Sequence, residues 1–151
     1  MRTIAAATLF VVLGCASTQA SAQPAVPAPP SCEALQGKWK NQLGSTLNIQ
    51  SISPSGAIQG TYISPSGTGG QAYPLVGWVN SLPPQAPQDN VKVLSFTVRW
   101  GEIGSITAWT GYCRLQGGAP QITAMWHLVR PNSAYVWDHI LTNTDVFTPS
   151  R

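Results

Sequence analysis

The chain has 151 residues, enough for one domain, and only 9% of them are charged, with eight Lys and Arg against five Asp and Glu. The basic residues are scattered along the chain and form no patch, so the charge pattern does not indicate nucleic-acid binding.

Residues 1–22 have the features of a secretory signal peptide. Arg2 gives a basic start, residues 4–13 form an apolar run too short to span a bilayer as a helix, and residues 20–22 offer a small-x-small cleavage site. The segment ending at Cys15 loosely resembles a lipoprotein cleavage box, but cleavage after Ala22 is the preferred interpretation. We therefore expect a secreted or periplasmic protein with no membrane segment after cleavage.

Residues 23–36 are predicted to be a Pro/Ala-rich linker, of which residues 23–31 are expected to be stiff and extended, with little to bury. From residue 37 to residue 149 no helical period is evident, and short alternating runs lie between clusters of Gly, Pro, Ser and Asn. These runs predict eight strands, at about 37–43, 46–53, 57–64, 72–80, 91–100, 105–114, 121–129 and 138–148.

The connections between the predicted strands are short, with turn signals such as Ser53-Pro54-Ser55-Gly56. Consecutive short strands joined by such turns indicate an antiparallel meander. Eight of them can close into an all-β, eight-stranded antiparallel up-and-down β-barrel, which leaves no exposed sheet edge. An eight-stranded sandwich is the alternative.

Two cysteines, Cys32 and Cys113, remain after signal cleavage. In an oxidising compartment one disulfide is the simple interpretation, and two free buried thiols are the alternative.

Polar and aromatic side chains alternate on the same strand faces, because successive residues of a strand point to opposite sides. Ser105, Thr107 and Trp109 share one face, and Tyr62 shares a face with Ser64. Turned inward, these faces would bury several polar groups, and each unpaired group costs about 1–3 kcal/mol. A ligand with donors and acceptors would satisfy them; bonding among themselves and to trapped water is the other interpretation.

Catalytic and metal-binding patterns are absent from the sequence. His127 faces away from the predicted lumen, and His139 lies six residues before Asp145, roughly 20 Å along a strand. No zinc-ligand spacing and no phosphate-binding loop is present. We expect a protein that is not an enzyme and needs no cofactor.

Six motifs in one order carry a resemblance to a known family. They are GKWKNQLGS at 37–45, GTYIS at 60–64, FTVRW at 96–100, TAWTG at 107–111, MWHL at 125–128, and Trp137 followed by DVFT at 145–148. Together they cover nearly all of residues 37–148, and in this order the chain resembles the avidin and streptavidin family. The resemblance implies a biotin-binding β-barrel, with vitamin sequestration as its plausible use.

The resemblance also implies which residues contact biotin. Asn41, Ser45 and Tyr62 match three donors to the ureido oxygen, and Asp145 and Ser64 match acceptors for the two ureido N–H groups. Thr107 matches the residue facing the thioether sulfur. The complete set assigned to the ligand is Asn41, Leu43, Ser45, Tyr62, Ser64, Thr68, Trp100, Ser105, Thr107, Trp109, Trp126, Leu128, Trp137 and Asp145.

Two further features follow from the resemblance. Trp137 matches a tryptophan that caps the pocket of a neighbouring subunit, which favours a homo-oligomer, a tetramer over a dimer. Cys32 and Cys113 match the paired cysteines of the animal avidins. A carbohydrate-binding β domain, with tryptophans on an exposed platform, and a lipocalin-like small-molecule carrier, with a more apolar lumen that lacks Asp145, are the alternatives.

Overall fold

A computed structural model describes residues 30–150 of the chain. The predicted signal peptide, its alternative cleavage point at Cys15, and residues 23–29 of the predicted linker lie outside the described residues. Within the described part, no helix has the length and hydropathy that crossing a bilayer requires.

The described residues form eight strands and one short 3₁₀ helix. The strands are β1 (Gly37–Asn41), β2 (Thr46–Ile52), β3 (Ala57–Ile63), β4 (Ala72–Asn80), β5 (Lys92–Arg99), β6 (Ile106–Gln116), β7 (Ala119–Val129) and β8 (Ile140–Ser150), with the 3₁₀ helix at Gly101–Ile103. Each strand pairs antiparallel with the next, and β8 pairs with β1, so the sheet closes on itself. The predicted up-and-down barrel is confirmed, and every predicted strand boundary lies within two residues of the observed one.

The boundary differences have local causes. β1 ends at Asn41 because the amide of Gly44 donates to the carbonyl of Asn41 and turns the chain. Leu43, predicted to extend this strand, therefore lies in the β1–β2 turn and is 65% exposed. β6 and β7 extend toward each other until only Gly117 and Gly118 separate them, both at positive φ (59° and 83°), as a two-residue hairpin requires.

The barrel interior is filled at the end where β1 begins and open at the end where β1 stops. Trp39, Leu47, Ile49, Ile122 and Phe147 are at most 1% exposed and make the filled half. The residues nearer the open end pack against this filled half.

The end of the predicted linker, just before β1, also belongs to this filled half. Leu35 is 1% exposed, and its carbonyl accepts a hydrogen bond from the indole N–H of Trp39 at 2.9 Å. Cys32 forms a disulfide with Cys113 on β6, which confirms the predicted pair. The composition of the segment did not reveal this burial, because one leucine and one disulfide, and no apolar run, hold the segment against the barrel.

Gly111 permits a close approach between β6 and β7. A Cβ at this position would lie 2.1 Å from the carbonyl oxygen of Thr123 and 2.6 Å from the Cα of Ala124. Glycine is therefore required at this point of the β6–β7 pair, where the two backbones lie too close for a side chain.

Candidate functional site

A cavity of about 330 Å³ occupies the open end of the barrel. This volume lies within the range of roughly 300–1,000 Å³ that is usual for small-molecule sites. The β1–β2 turn, the β3–β4 loop and the β5–β6 connection surround its mouth, and residues of β7 and β8 complete the wall.

Thirteen of the fourteen predicted ligand residues line this one cavity. They are Asn41, Leu43, Ser45, Tyr62, Ser64, Thr68, Trp100, Ser105, Thr107, Trp109, Trp126, Leu128 and Asp145. The exception is Trp137, which lies on the β7–β8 loop, is 77% exposed and does not line the cavity of its own chain. Its predicted role across subunits involves a second copy and stays a prediction.

Asp145 is the charged residue among the lining residues and is only 2% exposed. Its Oδ2 accepts a hydrogen bond from the indole N–H of Trp109 at 2.9 Å, and its Oδ1 lies 3.5 Å from the amide nitrogen of Gln42. A carboxylate held by neutral donors keeps further acceptor capacity, so Asp145 can receive another N–H from the cavity.

Asn41 is oriented by the turn that follows it. Its side-chain carbonyl accepts the backbone N–H groups of Leu43 (3.1 Å) and Ser45 (2.8 Å). Because the oxygen is engaged by the backbone, the amide NH₂ is the group left to face the cavity as a donor.

Tyr62 is buried between Ser45 and Asp145. Burial raises the pKa of its phenol well above the ordinary value, hydrogen bonding to Ser45 lowers it, and the charge of Asp145 and a hydrogen bond to that carboxylate raise it further. The hydroxyl therefore stays protonated at neutral pH and acts as a donor. Asn41, Ser45 and Tyr62 thus bring three donors together beside one carboxylate.

Aromatic rings form the walls above this polar group. Trp109 stacks on Phe96, with ring centroids 4.8 Å apart and planes at 14°, and its other neighbour Tyr62 lies at 4.8 Å. The indole N–H of Trp100 donates to the hydroxyl of Thr107 at 2.7 Å. These contacts fix the walls before any ligand is bound.

The β3–β4 loop closes part of the mouth through its own hydrogen bonds. The hydroxyl of Thr68 donates to the carbonyl of Ser64, and the hydroxyl of Ser64 donates to the carbonyl of Ser66 at 3.1 Å. Ser64 was predicted to accept a ligand N–H; in this structure its hydroxyl bonds within the loop, although the residue lines the cavity.

Some polar groups of the cavity wall are paired within it: the indole of Trp100 bonds to Thr107, and that of Trp109 bonds to Asp145. Among residues 30–150, no buried side-chain nitrogen or oxygen lacks a hydrogen-bond partner. The fully buried polar atoms therefore do not by themselves call for a ligand. What indicates a ligand is the convergence of donors and an acceptor on a walled cavity.

Sequence reasoning assigned no role to four residues that belong to the site. Ser66, Gly67 and Ile103 line the cavity. Gln42 lies behind it: its side chain donates to the carbonyl of Thr144 (3.0 Å), accepts from the amide of Val146 (2.9 Å) and approaches Asp145. Gln42 belongs to the first of the quoted motifs, but alternation along the predicted first strand points its side chain away from the lumen. Only the pairing of β1 with β8 brings Gln42 to Asp145.

Neither histidine takes part in the site. His127 is exposed on the outer face of β7, as strand parity predicted, and the ring of His139 bonds to the carbonyl of Arg130 in the β7–β8 loop. In the described part of the chain, no group of three or more His, Cys, Asp or Glu is arranged to hold a metal ion.

Comparison with known proteins gives one consistent family. The profile of the Avidin family matches residues 29–150. Afifavidin from Afifella pfennigii is 29% identical over 124 residues, covering 76% of this chain and 69% of that protein. Avidin from Gallus gallus is 33% identical over 98 residues, covering 62% of each chain, so the match spans less than two thirds of that relative. The crystal structure of Xenavidin superposes with a TM-score of 0.62 at 31% identity, covering 76% of this chain and 95% of that one.

Proposed function

The chain belongs to the avidin family, and from this premise we propose that it binds biotin, without catalysis, in the cavity at the open end of its barrel. One observation carries the proposal. Three donors, Asn41, Ser45 and Tyr62, converge beside the buried carboxylate of Asp145 within a cavity walled by tryptophans.

The polar group matches the chemistry of a cyclic urea. A urea carbonyl accepts several hydrogen bonds, which Asn41, Ser45 and Tyr62 supply, and donors aimed at one oxygen favour negative charge on it. The adjacent urea N–H donates to Asp145, whose charge strengthens that bond. The site therefore selects a ligand in which a carbonyl acceptor lies next to an N–H donor.

The remaining walls suit the fused sulfur ring of biotin. Because the oxygen of Thr107 accepts the indole N–H of Trp100, the hydroxyl proton of Thr107 is directed elsewhere and can approach a thioether sulfur, a weak acceptor. Trp100 and Trp109 are 6% and 4% exposed and supply flat apolar surfaces on which the ring is desolvated.

The alternative ligands fit less well. A carbohydrate-binding platform would present exposed tryptophans, whereas Trp100 and Trp109 are buried in the cavity wall. A lipocalin-like lumen for an apolar cargo has no use for a buried carboxylate, and Asp145 lies within this one.

We further propose that the mature protein acts outside the cytoplasm as a homo-oligomer, a tetramer in preference to a dimer, and sequesters the vitamin. The disulfide between Cys32 and Cys113 supports an oxidising compartment. Exposed apolar side chains on the outer faces of the strands, including Val76 and Trp78 on β4 and Met125 on β7, support association.

Isothermal titration of the purified mature chain with biotin tests this function, together with its mass in solution. We expect one biotin per chain and quenching or a shift of tryptophan fluorescence that saturates at one equivalent, with no response to oligosaccharides or fatty acids. Absence of heat and of any fluorescence change with biotin would refute the proposal. A monomeric mass would refute the oligomer alone.

A further inference from the structure

The loop between β7 and β8, residues 130–139, carries an aromatic tip that the subunit itself does not bury. Tyr135, Val136 and Trp137 are 57%, 88% and 77% exposed. The rings of Tyr135 and Trp137 stack, with centroids 4.8 Å apart and planes at 12°. We call residues 130–139 the β7–β8 arm.

The base of the arm is clamped by one arginine. The guanidinium of Arg130 forms an ion pair with the carboxylate of Asp138, and its Nε donates to the backbone carbonyl of the same residue at 2.9 Å. The backbone N–H of Arg130 donates to the carbonyl of His139 at 3.0 Å, and the His139 ring bonds to the carbonyl of Arg130 at 2.9 Å. Both ends of the arm are therefore held together beyond the last strand pair.

The contacts at the base of the arm also restrain its tip. The amide of Asp138 donates to the carbonyl of Tyr135 at 3.1 Å, which closes a tight turn around Val136 and Trp137. Asp138 is also the next residue after Trp137, so holding its backbone restrains the backbone from which the indole projects, and stacking on Tyr135 orients the ring. A flexible loop would lose conformational entropy when it became ordered on binding, whereas a clamped loop loses less.

The surface at the base of the arm indicates what the tip contacts. Ile106, Val129 and Ile140 lie opposite one another on β6, β7 and β8, point outward, and are 48%, 48% and 60% exposed. An outward apolar row of this kind is typical of a surface that a protein partner covers. Because the row is continuous with the arm, a second copy of the chain that covers it also meets the tip.

We propose that Arg130 and Asp138 are positioning residues that hold Trp137 in place for the cavity of a second copy, and so prolong retention of the bound ligand there. This inference rests on the proposed function, because it concerns retention of biotin and the cross-subunit contact of Trp137. Neither residue lines the cavity of its own chain, so their effect is transmitted through Trp137.

A double-mutant cycle in the full mature protein tests the inference, with the biotin dissociation rate as the measurement. Asp138→Asn keeps the size of the side chain and removes the charge, and we expect dissociation to accelerate about two- to fivefold, the scale of a partly exposed ion pair. Trp137→Ala should accelerate it more. In the Trp137→Ala background, Asp138→Asn should have no further effect.

Two controls separate positioning from general stability. Arg130→Gln removes the same pair from its other side and should reproduce the effect of Asp138→Asn. Asp89→Asn breaks a comparable ion pair, with Arg114, at the opposite end of the barrel, and should leave dissociation unchanged. The melting temperature of each ligand-free variant shows whether the fold is retained.

The outcomes distinguish the inference from the function on which it rests. If the unmodified protein does not bind biotin, the proposed function is wrong. If Trp137→Ala changes dissociation but Asp138→Asn and Arg130→Gln do not, the clamp is not a positioning device. If Asp138→Asn accelerates dissociation equally with and without Trp137, its role is not exerted through the tip, and the inference is refuted.

Discussion

Replacing Asp145 by alanine should weaken biotin binding by about 3 kcal/mol, or roughly 150-fold. The ligand N–H loses a charge-assisted acceptor, which contributes about 1.5–3 kcal/mol. The indole N–H of Trp109, which bonds to Asp145 at 2.9 Å, also loses its partner. Water can replace the carboxylate in the free protein, but the ligand displaces this water on binding and leaves the indole N–H unpaired. A buried donor left unpaired costs about 1–3 kcal/mol.

Displacement of bound labelled biotin by excess unlabelled biotin measures the dissociation rate, and most of the loss of affinity should appear in this rate. Asp145→Asn, which keeps a side-chain carbonyl but no charge, should fall between the alanine variant and the unmodified protein. Asp89→Ala removes an exposed carboxylate at the opposite end of the barrel and should have no effect. Dissociation of Asp145→Ala within twofold of the unmodified rate, with an unchanged melting temperature, would remove Asp145 from the site.

Three further outcomes follow from the contacts. Replacing Gln42 by leucine removes its bonds to β8 and should accelerate biotin dissociation roughly tenfold, less than the loss of Asp145, in the same exchange assay. Replacing Cys32 and Cys113 together by alanine opens a loop of 81 residues and should lower the free energy of unfolding by about 2–4 kcal/mol in denaturant titration; a reducing agent should then affect only the unmodified protein. Because burial raises the pKa of Tyr62, the folded state keeps the phenol protonated where the unfolded chain loses its proton, so the free energy of unfolding should fall as the pH rises above the ordinary value of 10.0. Tyr62→Phe should remove that part of the pH dependence, and an identical fall in this variant would contradict the assignment.

Strand parity predicted the site well where it was applied within one strand. Thr107 and Trp109 on β6, and Ser105 directly before it, are all buried and all line the cavity, because alternate residues of an extended segment share a face. The same rule placed His127 outside correctly. The predicted first strand was too long, because β1 ends at Asn41; Leu43 lies in the turn that follows and lines the cavity from there.

Contacts between distant strands could not be predicted in this way. Gln42 reaches β8 across 102 to 104 residues of sequence, and Trp109 meets Asp145 across 36. Likewise, Leu35 lies in a proline-rich segment whose composition predicts a linker, and it is buried because the disulfide and the indole of Trp39 hold it.

The sequence by itself determined the all-β class, the succession of eight strands, and which side chains share a face, since these depend on a period of two residues and on local turn chemistry. The tertiary structure alone decided that β1 meets β8, that one end of the barrel is filled and the other open, and that the fully buried side-chain polar atoms among residues 30–150 all have hydrogen-bond partners. Those features depend on distances between residues far apart in the chain, which are fixed only when the sheet closes.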